Sequence, residues 1–121
     1  MKPLTKAEEQ VMQILWKIDK GFVKDILGEM DNPKPAYNTV STFVRILEKK
    51  GFVKHKAYGK SHRYYPLVSK DEYRSFTVKN LLKDYFGGSF SQLASFFAKE
   101  RNLDIKELEQ LLQEVKQEVK N

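Results

Sequence analysis

Only two short segments of this 121-residue chain read as β-strands, and one turn separates them. The stretches "FVKHKAY" (52–58) and "HRYYPL" (62–67) are rich in aromatic and branched residues, and the "GKS" between them carries Gly59, which permits a tight turn. Pro66 suits an edge or a strand end, because it donates nothing to a ladder. One hairpin cannot be stable alone. It must cover a core that helices supply, so the fold class is mainly α with a small β-hairpin.

Three helices precede the hairpin. Thr5 and Glu8 form a capping-box pattern, and Ala7, Val11, Ile14, Leu15 and Ile18 then recur at helical spacing toward a core. Gly21 reads as the stop. A shorter helix from about Val23 to Met30 turns Val23, Ile26, Leu27 and Met30 inward, until "DNPKP" breaks the periodicity with two prolines. The third helix runs from about Ala36 to Lys50 and buries Val40, Phe43, Val44 and Leu47. Short helices followed by a hairpin with a basic tip make a winged helix-turn-helix.

The outward side of the third helix is unusual. It carries Asn38, Ser41, Thr42, Arg45 and Lys49, with Tyr37 and Thr39 around its first turn, in place of mixed acids and bases. Short polar side chains let a helix backbone approach a major groove closely. Arg45 can donate two hydrogen bonds to guanine or clamp a phosphate, and Ser41 and Thr42 can bond base edges or backbone oxygens. The hairpin tip adds Lys60 and Arg63, placed to reach a phosphate or the minor groove. Tyr58, Tyr64 and Tyr65 read as packing residues of the hairpin. Basic residues among aromatics also suit single strands, but three helices before a wing favour duplex DNA.

Charge agrees with that division. The chain has 22 Lys and Arg against 16 Asp and Glu, a formal charge of +6. Residues 1–70 hold 14 basic and 7 acidic side chains, whereas 71–121 hold 8 and 9. An anionic partner for the first part follows. The expected domains are therefore a winged-helix DNA-binding domain at 1–70 and a helical dimerisation domain at 71–121. In the latter, Phe76, Leu82, Phe86, Phe90, Leu93, Phe96, Phe97, Leu108, Leu112 and Val115 are the expected dimer contacts, and Asp104 caps the last helix. A few short helices cannot enclose so much apolar surface alone, and a second copy of the chain is the natural cover.

Other classes are poorly supported. There is no cysteine, so disulfides, thiolate zinc sites and thiol catalysis are excluded. Two histidines, His55 and His62, lie on opposing parts of the hairpin, a weak metal signal; no metal and no cofactor are expected. No serine has an evident base and orienting acid, and there is no glycine-rich phosphate loop. The chain is thus not expected to be an enzyme. It has no signal-type apolar run or long uncharged segment, so a cytoplasmic protein without membrane insertion is expected. The alternative function is a protein-interaction module that keeps the winged shape without binding DNA.

The segments "LTKAEEQVMQILWK", "YNTVSTFVRILEKKGFV", "YGKSHRYYPLVSKDEY" and "QLASFFAKE" give the chain a closer identity. It resembles the penicillinase-repressor family of bacterial transcription regulators over nearly its whole length, most specifically in the Thr-Val-x-Thr form at Thr39 to Thr42. The resemblance implies a homodimeric repressor on an inverted-repeat operator of double-stranded DNA. It places Thr39, Ser41, Thr42 and Arg45 at the operator and Lys60 and Arg63 in the basic wing. For one branch of the family it also implies a membrane sensor protease, or another inducing protease, as partner, with cleavage at an Asn-Phe bond. Ser95-Phe96 stands at that place here, without the asparagine. The cysteine motif of the copper-responsive branch has no counterpart in "LLQEVKQEVKN".

Overall fold

Thr5 and Glu8 do what their spacing dictates. In the computed structural model, which describes residues 1–120, the Glu8 amide donates to Thr5 Oγ1 at 3.2 Å and the Thr5 amide donates to Glu8 Oε1 at 3.0 Å. This box starts α1 (Lys6–Ile18), followed by α2 (Val23–Gly28), α3 (Tyr37–Lys49), β1 (Val53–Tyr58), β2 (Ser61–Pro66), α4 (Lys70–Tyr85), α5 (Phe90–Glu100) and α6 (Ile105–Lys120). The chain forms two units, 1–76 and 77–121.

The first unit is built around Val11, Met12, Leu15, Ile26, Val40, Val44, Leu47, Phe52 and Val53, all essentially excluded from solvent. The stripes of α1 and α3 thus meet, and the hairpin closes over them. Its strands pair antiparallel, from Val53 opposite Pro66 to Tyr58 opposite Ser61. Gly59 takes φ 62° at the first position of the two-residue loop, where hairpin loops of type II′ place glycine. Gly21 has a different role from the helix stop expected of it. The left-handed residue that ends α1 is Asp19, at φ 69°. Gly21 exchanges two backbone hydrogen bonds with Tyr64, of 2.9 and 2.8 Å, and so adds a one-residue third strand to the hairpin. A Cβ at Gly21 would lie 2.8 Å from Ile18 Cδ1 and 3.2 Å from Asp25 Cβ, so a larger residue there would make the Ile18 side chain shift.

Two basic residues are committed to architecture. Lys34 Nζ donates to the carbonyls of Leu27, Gly28 and Met30, capping the C-terminal end of α2, which stops at Gly28 rather than at Met30. Lys50 Nζ donates to Glu8 Oε1 at 2.6 Å, to Glu8 Oε2 at 3.1 Å and to the Pro3 carbonyl at 3.2 Å. Glu8 is only 3% exposed, yet every contact it makes favours the carboxylate. Burial works against its charge, but the Lys50 and Thr5 hydrogen bonds and the Lys50 charge outweigh it and leave the pKa below its ordinary value. This tie between the start of α1 and the end of α3 should stabilise the fold at neutral pH. Glu8→Gln is expected to cost about 1–3 kcal/mol near pH 7. Because the folded pKa is lowered, the difference from wild type should be complete above the ordinary glutamate range, ~4.3, and shrink as pH falls below it. Thermal unfolding of both proteins across that range measures it.

The boundary between the units falls six residues later than the expected break after Lys70. The reason is aromatic. Tyr73 is buried and packs against Trp16 and Phe52 at ring separations of 5.8 and 5.7 Å, while Trp16 Nε1 donates to the Val68 carbonyl at 2.9 Å. Phe76, expected among the dimer contacts, is half-buried against this first core and 6.0 Å from the Tyr73 ring. In the second unit Ser89 caps α5 and Asp104 caps α6 through the amides of Gln92 and Glu107. Among the described residues, no side chain of α5 or α6 is buried. No helix of the described residues is long and apolar enough to cross a membrane.

Candidate nucleic-acid interface

The register of α3 decides what the first unit offers to a partner. Burying Val40, Val44 and Leu47 turns Tyr37, Asn38, Ser41 and Arg45 toward the hairpin, where they line an open cleft of about 480 Å³. Lys60, Ser61 and His62 line it from the wing, and Phe22, Val23 and Lys24 line it from the start of α2. Phe22 packs edge-on against Tyr58 at 5.8 Å and so joins α2 to the wing. The charged side chains of the cleft are Lys24, Arg45 and Lys60, and no carboxylate lines it. Opposed cations on a wall of amides and hydroxyls make an anion-binding surface.

The nine residues expected at DNA divide into three groups. Tyr37, Asn38, Ser41, Arg45 and Lys60 come together in the cleft. Thr39, Thr42 and Lys49 are exposed on α3 but do not line it. The Thr42 hydroxyl donates to the Asn38 carbonyl at 2.9 Å, which leaves it the role of acceptor or methyl contact. Arg63 also lies outside the cleft. It is paired across the hairpin with Lys56, and its proximity, with the charges of Lys56 and Lys20, lowers the Tyr58 pKa. Arg63 therefore belongs to a basic cluster around the exposed Tyr58, whose ring also lines the cleft, with Lys56 Nζ 5.5 Å from the ring centre.

Sequence reasoning missed Lys24 and His62 as cleft residues, whereas Tyr64 packs as its reading expected. Tyr64 is buried behind the cleft, and burial followed by the Glu48 charge raises its pKa, with Arg45 opposing. The two histidines meet as parallel rings, with centroids 4.0 Å apart and planes 8° apart. Ala57 is the residue opposite His62, and so small a partner leaves room for the His55 ring. On its other side, His55 Nδ1 lies 2.6 Å from Glu48 Oε2 at the end of α3. No group of three or more His, Asp or Glu among the described residues is arranged to hold a metal ion.

Three helices, a wing over their core and an acid-free basic cleft beside the third helix define a winged helix-turn-helix protein. A family model described as the penicillinase repressor matches residues 4–117. The chain belongs to the penicillinase-repressor family of bacterial transcriptional regulators, whose members are repressors rather than enzymes. It is 30% identical over 109 residues to the methicillin resistance regulatory protein MecI of Staphylococcus aureus strain N315, covering 89% of each chain. It is 25% identical over 117 residues to the penicillinase repressor of Bacillus licheniformis, covering 93% of this chain and 91% of that one. Among solved structures, the DNA-binding domain of the repressor BlaI superposes with a TM-score of 0.52 at 26% identity, over 60% of this chain and 94% of that domain.

Proposed function

We propose that this protein represses transcription as a homodimer that binds an inverted-repeat operator in duplex DNA, one winged unit to each half-site. The observation that carries the reading is the cleft: Arg45 of α3, Lys60 of the wing and Lys24 of α2 converge on a space without a carboxylate. A duplex backbone is the anion that such a groove fits, with α3 entering the major groove through its short polar side chains. The names of the relatives, regulators and repressors, point the same way.

Self-association is supported by the second unit. Phe90 is 69%, Leu112 60%, Val115 54% and Val119 79% exposed, values that a lone set of helices would hold only at a large solvation cost. A two-fold pair of chains matches a palindromic operator. Relief of repression by a sensor protease, or another protease acting at Ser95-Phe96, would have to unwind α5 first, since both residues lie inside that helix. Cutting there would uncouple the two half-sites and forfeit linked binding.

Selection of genomic fragments bound by the full chain, followed by footprinting across a salt series, tests the reading. Enriched inverted repeats with a steep salt dependence are expected. Fragments no more frequent than in the input library would favour the protein-interaction alternative. Lys60→Gln should weaken operator and scrambled duplex alike and lower the slope of log K against log[salt] by about 0.9, the signature of one lost phosphate contact.

A further inference from the structure

We propose that His62 is a proton-dependent contact of the wing with a backbone phosphate of DNA, positioned by the His55 ring stacked on it and, through His55, by Glu48 of α3. This rests on the DNA-binding reading above. Two parallel imidazoles and a carboxylate span the gap from the end of the third helix to the wing, in the order Glu48, His55, His62. The Glu48 carboxylate is bonded to His55 and fixes that ring, so its charge is engaged on the side away from the cleft. His62 sits at the other end of the row and lines the cleft beside Lys60.

Every charged or titratable group that faces His62 bears on this. Among the described residues of the cleft and the histidine stack, from α3 these are Arg45, Tyr37 and, behind His55, Glu48; from α2, Lys24; from the hairpin, His55, Tyr58, Lys60 and Tyr64. The wall of the cleft around His62 thus carries cations and no carboxylate, and the missing anion is the one a duplex brings. A phosphate entering between Lys60 and Arg45 supplies that counter-charge, and a protonated imidazole then donates an N–H to a phosphate oxygen. Binding should therefore take up a proton at His62. Lys60 and His62 would grip the backbone together, the lysine at every pH and the histidine only when charged.

The test compares wild type, His62→Gln, His55→Ala and Lys60→Gln on one operator duplex at about pH 6 and about pH 8 over a salt series. For wild type, the slope of log K against log[salt] should be steeper by about 0.9 at the lower pH, with affinity at fixed salt roughly tenfold higher. His62→Gln should erase both differences between the two pH values. His55→Ala, which removes the stacked ring, should shrink the pH difference. Lys60→Gln should flatten the slope equally at both pH values and keep the difference between them. A merely structural role for His62 would leave the salt slope untouched. Equal wild-type slopes at the two pH values, or a pH difference that survives in His62→Gln, would overturn the proposal while leaving DNA binding standing. Absence of binding by wild type at either pH would overturn the DNA-binding reading and this inference with it.

Discussion

Arg45→Ala is expected to lose about 1–3 kcal/mol of discrimination between operator and scrambled duplex, roughly five- to 150-fold, the worth of a good bidentate base contact. Arg45 lies on the exposed face of α3, one turn beyond Ser41 and one turn before Lys49, and no carboxylate among the described residues forms a salt bridge with it. Its guanidinium is therefore free to pair with a base edge, and the small Ser41 beside it does not hold the helix off the groove. A lysine at this place should keep affinity for any duplex but not discrimination, because a point charge replaces a planar fork. Titrating wild type, Arg45→Ala and Arg45→Lys against both duplexes at several salt concentrations separates the roles. If alanine weakens operator and scrambled DNA by the same factor, Arg45 touches phosphate and reads nothing.

What could be read from the chain was local. The Thr5–Glu8 box, the stripe of α1 and the buried row of α3 depend on residues within a few positions of each other, and the structure has them where the spacing predicts. The polar face of α3 followed from the same register, so four of the expected DNA residues on it reach one cleft, with Lys60 of the wing opposite. The remainder is set by packing across long separations. Lys24 lines the cleft beside Phe22, which docks on Tyr58, 36 positions away. Nothing around His55 or His62 announces a stack that needs Ala57 as neighbour and Glu48 as anchor. Gly21 looked like a helix stop because glycine serves both left-handed caps and close approaches, and only the pairing with Tyr64 tells them apart. Lys34 looked like part of a loop, and its three carbonyl partners depend on where α2 ends. Phe76 carried no local sign of its side, since α4 runs unbroken from Lys70 to Tyr85 through the unit boundary.

The double substitution Leu112→Asp with Val115→Asp should produce the largest effect of all, a fall in operator affinity of about 10²–10⁴-fold. Leu108, Leu112, Val115 and Val119 follow one another at intervals of four, three and four along α6, the spacing of a seam that packs against a partner helix. Leu112 and Val115 are more than half exposed within one chain, so aspartates there cost an isolated subunit little. In a two-fold interface the same change places four carboxylates in an apolar seam without partners, and burying even one unpaired charge costs several kcal/mol. The variant should sediment as a monomer at micromolar concentration, where wild type should sediment as a dimer. The first unit keeps its core, because none of its buried residues lies beyond Tyr73. Its intrinsic affinity for a single half-site should therefore match that of wild type, and the loss should appear only on the full inverted repeat. A variant that stays dimeric would place the subunit contact on another face. A variant that becomes monomeric yet binds the full operator as tightly as before would show that each winged unit binds alone, and the linkage between half-sites would have to be given up.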